Sequence, residues 1–305
     1  MKYNIITFGS AVVDVFIHTN VLERGKQISY PVGGKILINK LQFEIGGGGT
    51  NTAVAFSRFG LKTGCICGIG DDENGNKILR LLKEEKIEFL GKIDKNEMTG
   101  YSVILDSRGG ERTILTYKGV NNQIEFNDLN LDKIETKWLY YSSLLEKSFE
   151  TQRKLIHVLK NKGVKLAFNP SSYIIENENI FDILKICEVL ILNKEEAYLL
   201  YKKYKVRGKL LDGLHSLGPK IVIVTNKDKE TWCYDGKKHY KIIPHKNISV
   251  VERTGAGDAF ASGFVAGLIV GKSIENSLKL GLKESEIVIT HPGAKNKLLK
   301  MKLKK

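Results

Sequence analysis

Apolar residues along this chain fall in short runs, and between them lie stretches whose apolar positions repeat at helical spacing. Tyr3–Phe8 is a compact β-prone run that stops at Gly9-Ser10, which predicts a buried strand entering a turn. From residue 12 to 45 the pattern breaks into short strand-like pieces, punctuated by Gly25, Pro31 and Gly33-Gly34, as small antiparallel strands would be. Four glycines at 46–49 then open a helical pattern over 50–59 that ends at Gly60. Residues 63–69 read as another strand, and 74–85 as a helix with Ile78, Leu79, Leu81 and Leu82 on its apolar side. A second patch of alternating strands covers 101–117, hinged at 107–110.

Beyond that patch the rhythm is strand, helix, strand: 138–141, 151–162, Lys165–Asn169, 189–192, a helix from Lys194, then Ile221–Thr225. Short apolar strands alternating with amphipathic helices predict an α/β fold: a doubly wound, mostly parallel sheet with helices on both faces. The two antiparallel patches fall outside the rhythm and predict a small β-strand lid built from two separate segments, about 12–45 and 98–120. No repeat and no Pro/Gly/Ser-rich linker divides residues 1–305, so one domain plus its lid is expected.

Composition changes this picture little. Of the 305 residues 42% are hydrophobic and 27% charged, enough apolar material for a sizeable core. The net charge of +14 invites a nucleic-acid or anionic partner. The positive residues are nevertheless spread along the chain without a basic stripe interleaved with aromatics, so a solvated lysine-rich surface is expected, with no specific nucleic-acid partner. The lysine-rich end (Lys295, Lys297, Lys300, Lys302, Lys304, Lys305) reads as a frayed tail. Cys65, Cys67, Cys187 and Cys233 lack metal-ligand spacing and are expected as buried thiols, Cys65 and Cys67 on one face of a strand, in a reducing compartment. The apolar opening MKYNIITFGS is too short for a signal peptide, and no window approaches the roughly 18 apolar residues that span a bilayer. A cytoplasmic protein without a membrane partner is expected.

The most informative stretch is Thr254-Gly255-Ala256-Gly257-Asp258-Ala259-Phe260-Ala261-Ser262-Gly263-Phe264. Gly255 and Gly257 permit a tight turn whose backbone N–H groups face outward, and the small apolar residues from Asp258 onward predict a buried helix. Bare amides at a helix N-terminus attract anions. Asp258 in that first turn is open to two readings, a simple helix cap or a base that takes a proton from an attacking hydroxyl while the amides hold a transferred phosphoryl group.

This segment resembles the C-terminal signature of the ribokinase-like (PfkB-type) carbohydrate kinases. Other stretches resemble that family in the same order: Gly9-Ser10 with Asp14, then Gly46-Gly47-Gly48-Gly49-Thr50-Asn51, then Gly68-Ile69-Gly70-Asp71-Asp72 with Gly75, then Asn193-Lys194-Glu195-Glu196. The resemblance implies an ATP-dependent kinase that phosphorylates a hydroxyl, expected to be the hydroxymethyl group of a sugar such as ribose or fructose. By the same resemblance Asp258 is the base, and Gly255, Ala256 and Gly257 form the anion hole. Asp14, Gly46, Gly47 and Asn51 line the acceptor pocket. Thr225 and Gly293 border the nucleotide. Asn193 and Glu196 organise Mg²⁺, through water or directly; read from the sequence alone, Glu196 is a first-turn helix carboxylate. The lid edges of this family often pair between subunits, so the resemblance allows a homodimer through the lid, which the sequence itself does not show.

Three departures bear on the function. Glu252 and Arg253 stand where the family usually has Asp and often Thr, and the extra methylene of Glu252 argues against activation by a monovalent cation. Arg253 has three readings: a pair with Glu252, a contact to phosphate, or a surface arginine. After Thr225 the chain reads Asn226-Lys227-Asp228-Lys229-Glu230 where a glycine-rich turn is common. Arg108 and Arg112 are candidates for contact with an anionic substrate, and Gly110-Glu111-Arg112-Thr113 for a hairpin. Phe16, Phe43 and Tyr101 are the candidates for stacking on a base if the acceptor is a nucleoside. A catalytically silent sugar- or nucleic-acid-binding protein is the alternative from another class, and the joint presence of Asp258, Asn193 and Glu196 argues against it.

Overall fold

The first apolar run forms β1 (Tyr3–Phe8), in which every side chain except Asn4 is buried. The chain continues through β2 (Val12–His18), β3 (Glu23–Arg24), β4 (Gln27–Ile28) and β5 (Lys40–Gly46) into α1 (Gly48–Arg58). There follow β6 (Thr63–Ile66), β7 (Gly68–Gly70), α2 (Glu73–Glu84), β8 (Glu88–Phe89), β9 (Lys92–Asp94), β10 (Gly100–Asp106) and β11 (Arg112–Tyr117). The second half contributes β12 (Thr136–Ser142), α3 (Glu146–Lys160), β13 (Lys165–Asn169), α4 (Ser172–Asn177), α5 (Phe181–Leu184) and β14 (Val189–Asn193). It closes with α6 (Lys194–Lys203), α7 (Leu210–Ser216), β15 (Ile221–Thr225), β16 (Thr231–Tyr234), β17 (His239–Ile242), α8 (Ala256–Ile269) and α9 (Ile274–Val288). This computed structural model describes residues 2–25, 27–107, 112–246 and 248–303. Arg108, Gly110 and Glu111, singled out above, lie outside the described residues.

Nine strands form the main sheet in the order β17-β16-β15-β14-β13-β12-β1-β6-β8. The pairs from β15 to β8 are parallel, and the two pairs at the other edge, β15–β16 and β16–β17, are antiparallel. Alternate side chains feed two cores, one on each face. Ile6 and Phe8 pack with Phe149, Leu155 and Leu159 of α3, whereas Ile5 packs with Phe56 of α1 and Phe260 and Phe264 of α8.

The lid is a separate four-stranded sheet, β11-β10-β2-β5. Each of the two expected segments folds on itself antiparallel, but they join through a parallel pair, β2 with β10. The run 63–69 is two strands and not one: β6 pairs with β1 in the main sheet, while β7 leaves it to pair with β9. The lysine-rich end is also not frayed as far as it is described. The Met301 amide bonds Arg58 O at 2.9 Å and the Leu303 amide bonds Phe59 O at 3.1 Å. All four cysteines are free and buried. Among the described residues no helix is long and apolar enough to cross a membrane.

Candidate active site

Strand order determines where a ligand can bind. β1 lies between β6 and β12, so the chain leaves it to one side first and returns to the other side later. At such a reversal the loops diverge beyond the carboxyl ends of the strands and leave a crevice. Ser10 just past β1, Ser142 ending β12, Asn169 ending β13, Asn193 ending β14 and Thr225 ending β15 stand along that crevice. Two cavities occupy it. One, of about 270 Å³, is lined by Ser10, Gly48, Lys118, Ser142, Ser143, Asn169, Pro170, Ser171, Glu196 and Asp258. The other, of about 220 Å³, is lined by Asn169, Ile191, Leu192, Asn193, Glu196, Thr225, Gly255, Gly257 and Asp258. Asp258 borders both. Larger hollows of about 440 Å³ lie outside this crevice, one beside Glu125 and Lys154 and one along α2.

The turn before α8 behaves as its glycines require. Gly255 is the N-cap in the left-handed conformation (φ +79°), and a Cβ there would come within 2.4 Å of Ala294. The helix starts at Ala256, two residues before Asp258, and no side chain caps it. The Ala256 amide is turned back onto Arg253 O at 3.3 Å, so it is not free as an anion-hole donor. Among the described residues no acceptor meets the Gly257 or Asp258 amide, and a Cβ on Gly257 would face open space. The Gly255 amide likewise meets no acceptor among the described residues, so the free donors at this turn are the Gly255, Gly257 and Asp258 amides.

Asn51 Nδ2 donates to Asp258 Oδ2 at 2.8 Å, and Asn51 Oδ1 accepts from the Lys295 ammonium at 2.5 Å. Burial pushes the Asp258 carboxyl pKa up, and the Asn51 hydrogen bond and the Lys295 charge hold part of that rise back. The Asn51 side chain thus bridges Asp258 and Lys295. Lys295, read as tail, is only 7% exposed.

Asp14 stands in a cross-strand row of the lid, with Glu44 opposite on β5 and Ser102 opposite on β10. Its pKa is raised by burial, against the Ser102 hydrogen bond and Lys295, which favour the charged form. Gly46 lets it lie there, since a Cβ on Gly46 would fall 1.8 Å from Asp14 Oδ2. Gly47, at φ +96°, caps α1 and passes against Ser10 O. Of the aromatic candidates only Phe16 shares the Asp14 face of the lid; Phe43 and Tyr101 are on the other, by the period of two.

Asn193 and Glu196 close a capping box on α6: the Asn193 side chain accepts from the Glu196 amide and Glu196 Oε2 accepts from the Asn193 amide, both at 2.8 Å. Burial moves the Glu196 carboxyl up to about 7. Among the described residues no group of three or more His, Cys, Asp or Glu is arranged to hold a metal ion. Thr225 Oγ1 donates to Leu192 O at 3.4 Å at the mouth of the second cavity. Gly293 is not at this mouth. Its amide bonds Glu252 Oε2 at 2.9 Å, and a Cβ there would meet the Glu44 carboxyl at 3.2 Å, which sets it beneath the lid.

A model of the pfkB family of carbohydrate kinases matches residues 4–301. The chain belongs to that family. Over 267 residues it is 26% identical to a ribokinase of Haemophilus influenzae, covering 84% of this chain and 85% of that protein. A cytidine kinase of Thermococcus kodakarensis is 34% identical over 144 residues, a match that takes in 46% of this chain and 51% of the relative. The crystal structure of a Thermotoga maritima ribokinase superposes with a TM-score of 0.82 at 21% identity, covering 97% and 96% of the two chains. That of a Methanocaldococcus jannaschii nucleoside kinase gives 0.80 at 20% identity, covering 97% and 95%. The doubly wound sheet with its β lid is thus the ribokinase-like fold, and the reaction class of the family is phosphoryl transfer to an alcohol.

Two departures fall in this region. Glu252 does not pair with Arg253, which is exposed; Arg112 of the lid reaches Glu252 Oε1 at 3.2 Å and Thr254 Oγ1 at 2.7 Å. Sequence reasoning missed Ser142, Asn169 and Lys118. Ser142 and Asn169 close apolar strands, and a polar residue at that point of a parallel strand is the signal that would have found them. Ser142 Oγ is buried, borders the larger cavity and has no protein partner among the described residues.

Proposed function

We propose that this protein is an ATP-dependent sugar kinase in which Asp258 takes the proton of the acceptor hydroxyl. The observation that carries the reading is that Asp258, in the first turn of α8 beside unbonded backbone amides, borders both cavities of the crevice, with Glu196 of α6 also bordering both. The acceptor sits on the Ser10–Ser142–Asn169 side beneath Asp14, and the nucleotide phosphates on the Asn193–Thr225 side. The hydroxyl oxygen attacks the γ-phosphorus, its proton passes to Asp258, and ADP departs, with charge on the moving phosphoryl group met by the Gly257 and Asp258 amides. Mg²⁺ supplies neutralisation of phosphate charge when bound. Asn193 and Glu196 would hold that ion, directly or through water, and so few protein groups beside water and phosphate oxygens suit Mg²⁺ better than a protein cage.

The larger cavity is lined by serines, an asparagine and a lysine, and no aromatic residue borders it, which favours a polyhydroxylated acceptor over a nucleobase. Both oxygens of Glu252 are occupied by Arg112 and the Gly293 amide, which supports turnover without potassium. A panel of ribose, fructose, sugar phosphates, adenosine and cytidine with ATP, with and without Mg²⁺ and K⁺, tests these assignments. Asp258→Asn is expected to lower kcat by on the order of 10²–10⁴ with acceptor binding retained. Turnover at the wild-type rate in that variant overturns the base.

A further inference from the structure

Lys295 holds an unusual position for a lysine. Its ammonium is enclosed by oxygens only: the Ile45 carbonyl at the end of β5, Asn51 Oδ1 at 2.5 Å and Thr50 Oγ1 at 3.5 Å. Three donors meet three acceptors, so the site is complete without water. Among the described residues no carboxylate pairs with it directly. Asp14, Asp258 and Glu44 act on it from β2, α8 and β5, and Arg58 at the end of α1 opposes them. Burial lowers its pKa to about 8 in spite of those three carboxylates. A buried lysine without a contact ion pair is costly to keep, which directs attention to what its contacts accomplish.

They fix one amide. Asn51 could present either its oxygen or its nitrogen to Asp258, and the carboxylate accepts only from the nitrogen. With an ammonium on its other side, the oxygen has to point to Lys295 and the N–H to Asp258 Oδ2. We propose that Lys295 is a positioning residue for the catalytic base: by locking the orientation of the Asn51 amide it aims the Asp258 carboxylate and keeps it charged. The proposal rests on the reading of Asp258 as base. It adds a relay that begins in the C-terminal segment and passes through α1. The same ammonium ties the end of lid strand β5 to α1, so the base is set in register with the lid that carries Asp14.

The test compares Lys295→Met, Asn51→Asp and Asp258→Asn by kcat, KM for each substrate and the pH profile of kcat/KM. Lys295→Met removes the charge at similar volume. It is expected to lower kcat 10- to 100-fold at unchanged KM for ATP, on the order of one to two such hydrogen-bonded charges. The acid limb of the profile is expected to move to higher pH, because the Asp258 carboxylate loses its neighbouring cation. Asn51→Asp keeps an oxygen for Lys295 but cannot donate to Asp258, and the same upward movement of the acid limb is expected. A residue that merely staples the C-terminal segment would lower the melting temperature and leave the acid limb in place; that result overturns the proposal. If Lys295→Met fails to fold, an unmoved acid limb in Asn51→Asp overturns it equally. Full activity of Asp258→Asn would instead remove the base itself, an outcome distinct from either.

Discussion

Asp14 and Gly46 are matched at the scale of single atoms. The carboxylate lies over the glycine because no Cβ is there, and the position one would take is 1.8 Å from Oδ2. Gly46→Ala has to displace one partner, and Asp14 at a lid strand moves more readily than the backbone entering α1. The expected result is a rise of about 10- to 100-fold in KM for the acceptor, the value of one or two hydrogen bonds to a charged group. KM for ATP should be unchanged; equal changes in both constants would place Asp14 outside the acceptor pocket. Much of this was legible in the sequence. A carboxylate inside the apolar stretch 11–17 and a run of glycines each need a reason, and here they supply it to each other. Lys295 was not legible, because nothing local separates a buried lysine from its solvated neighbours Lys297 and Lys300. The neighbours of Gly293 were not legible for a similar reason: Glu252 and Glu44 are 41 and 249 positions away in sequence.

Among the elements, strands were read most closely, since β1, β13 and β15 carry dense apolar runs whose ends coincide with polar or glycine residues. Helix starts were less legible where no capping side chain marks them. α3 begins at Glu146, five residues before the expected start, behind an uncapped Leu145. The parallel joint of β2 to β10 was invisible, as pairing across eighty residues leaves no local pattern. α9 shows an element fixed by a group whose charge matters. Glu284 is buried and accepts the Leu299 amide, at 3.1 Å to its nearer oxygen, docking the C-terminal segment. Burial raises its pKa from 4.5 to about 7, the Leu299 hydrogen bond and Arg58 opposing. A carboxyl with a raised folded-state pKa contributes stability that is complete below about pH 4.5 and is lost as pH rises through about 7. Glu284→Gln keeps the acceptor without the charge. Relative to the wild type it is expected to gain about 2 kcal/mol between pH 5 and pH 8, read by urea unfolding. A difference that stays constant with pH would show that Glu284 is charged in the fold.

Across the whole molecule, the proposed reaction requires the lid, which carries Asp14, to meet α8, which carries Asp258 and packs on the main sheet. The junction is polar. Arg112 of β11 bridges Glu252 and Thr254, three residues and one residue before Gly255, while the other oxygen of Glu252 holds Gly293. Three chain segments distant in sequence thus converge on one carboxylate at the rim of the crevice. The Arg112 and Glu252 side chains are 36% and 17% exposed, and an ion pair so placed is worth about 0–1 kcal/mol. That is too little to govern folding, yet about a fivefold change in the population of a closed lid lies within it. Arg112→Ala should therefore leave the melting temperature nearly unchanged and raise KM for the acceptor by up to about fivefold. Raising ionic strength should reproduce that rise in the wild type and add nothing in the variant, because screening acts on the contact the substitution has already removed. A large fall in melting temperature with KM unmoved would mean that Arg112 holds the fold together and leaves the lid free. The weak link is consistent with what the reaction demands, since a lid that must admit a substrate and release a product at each turnover cannot be held by more than it can repeatedly give up.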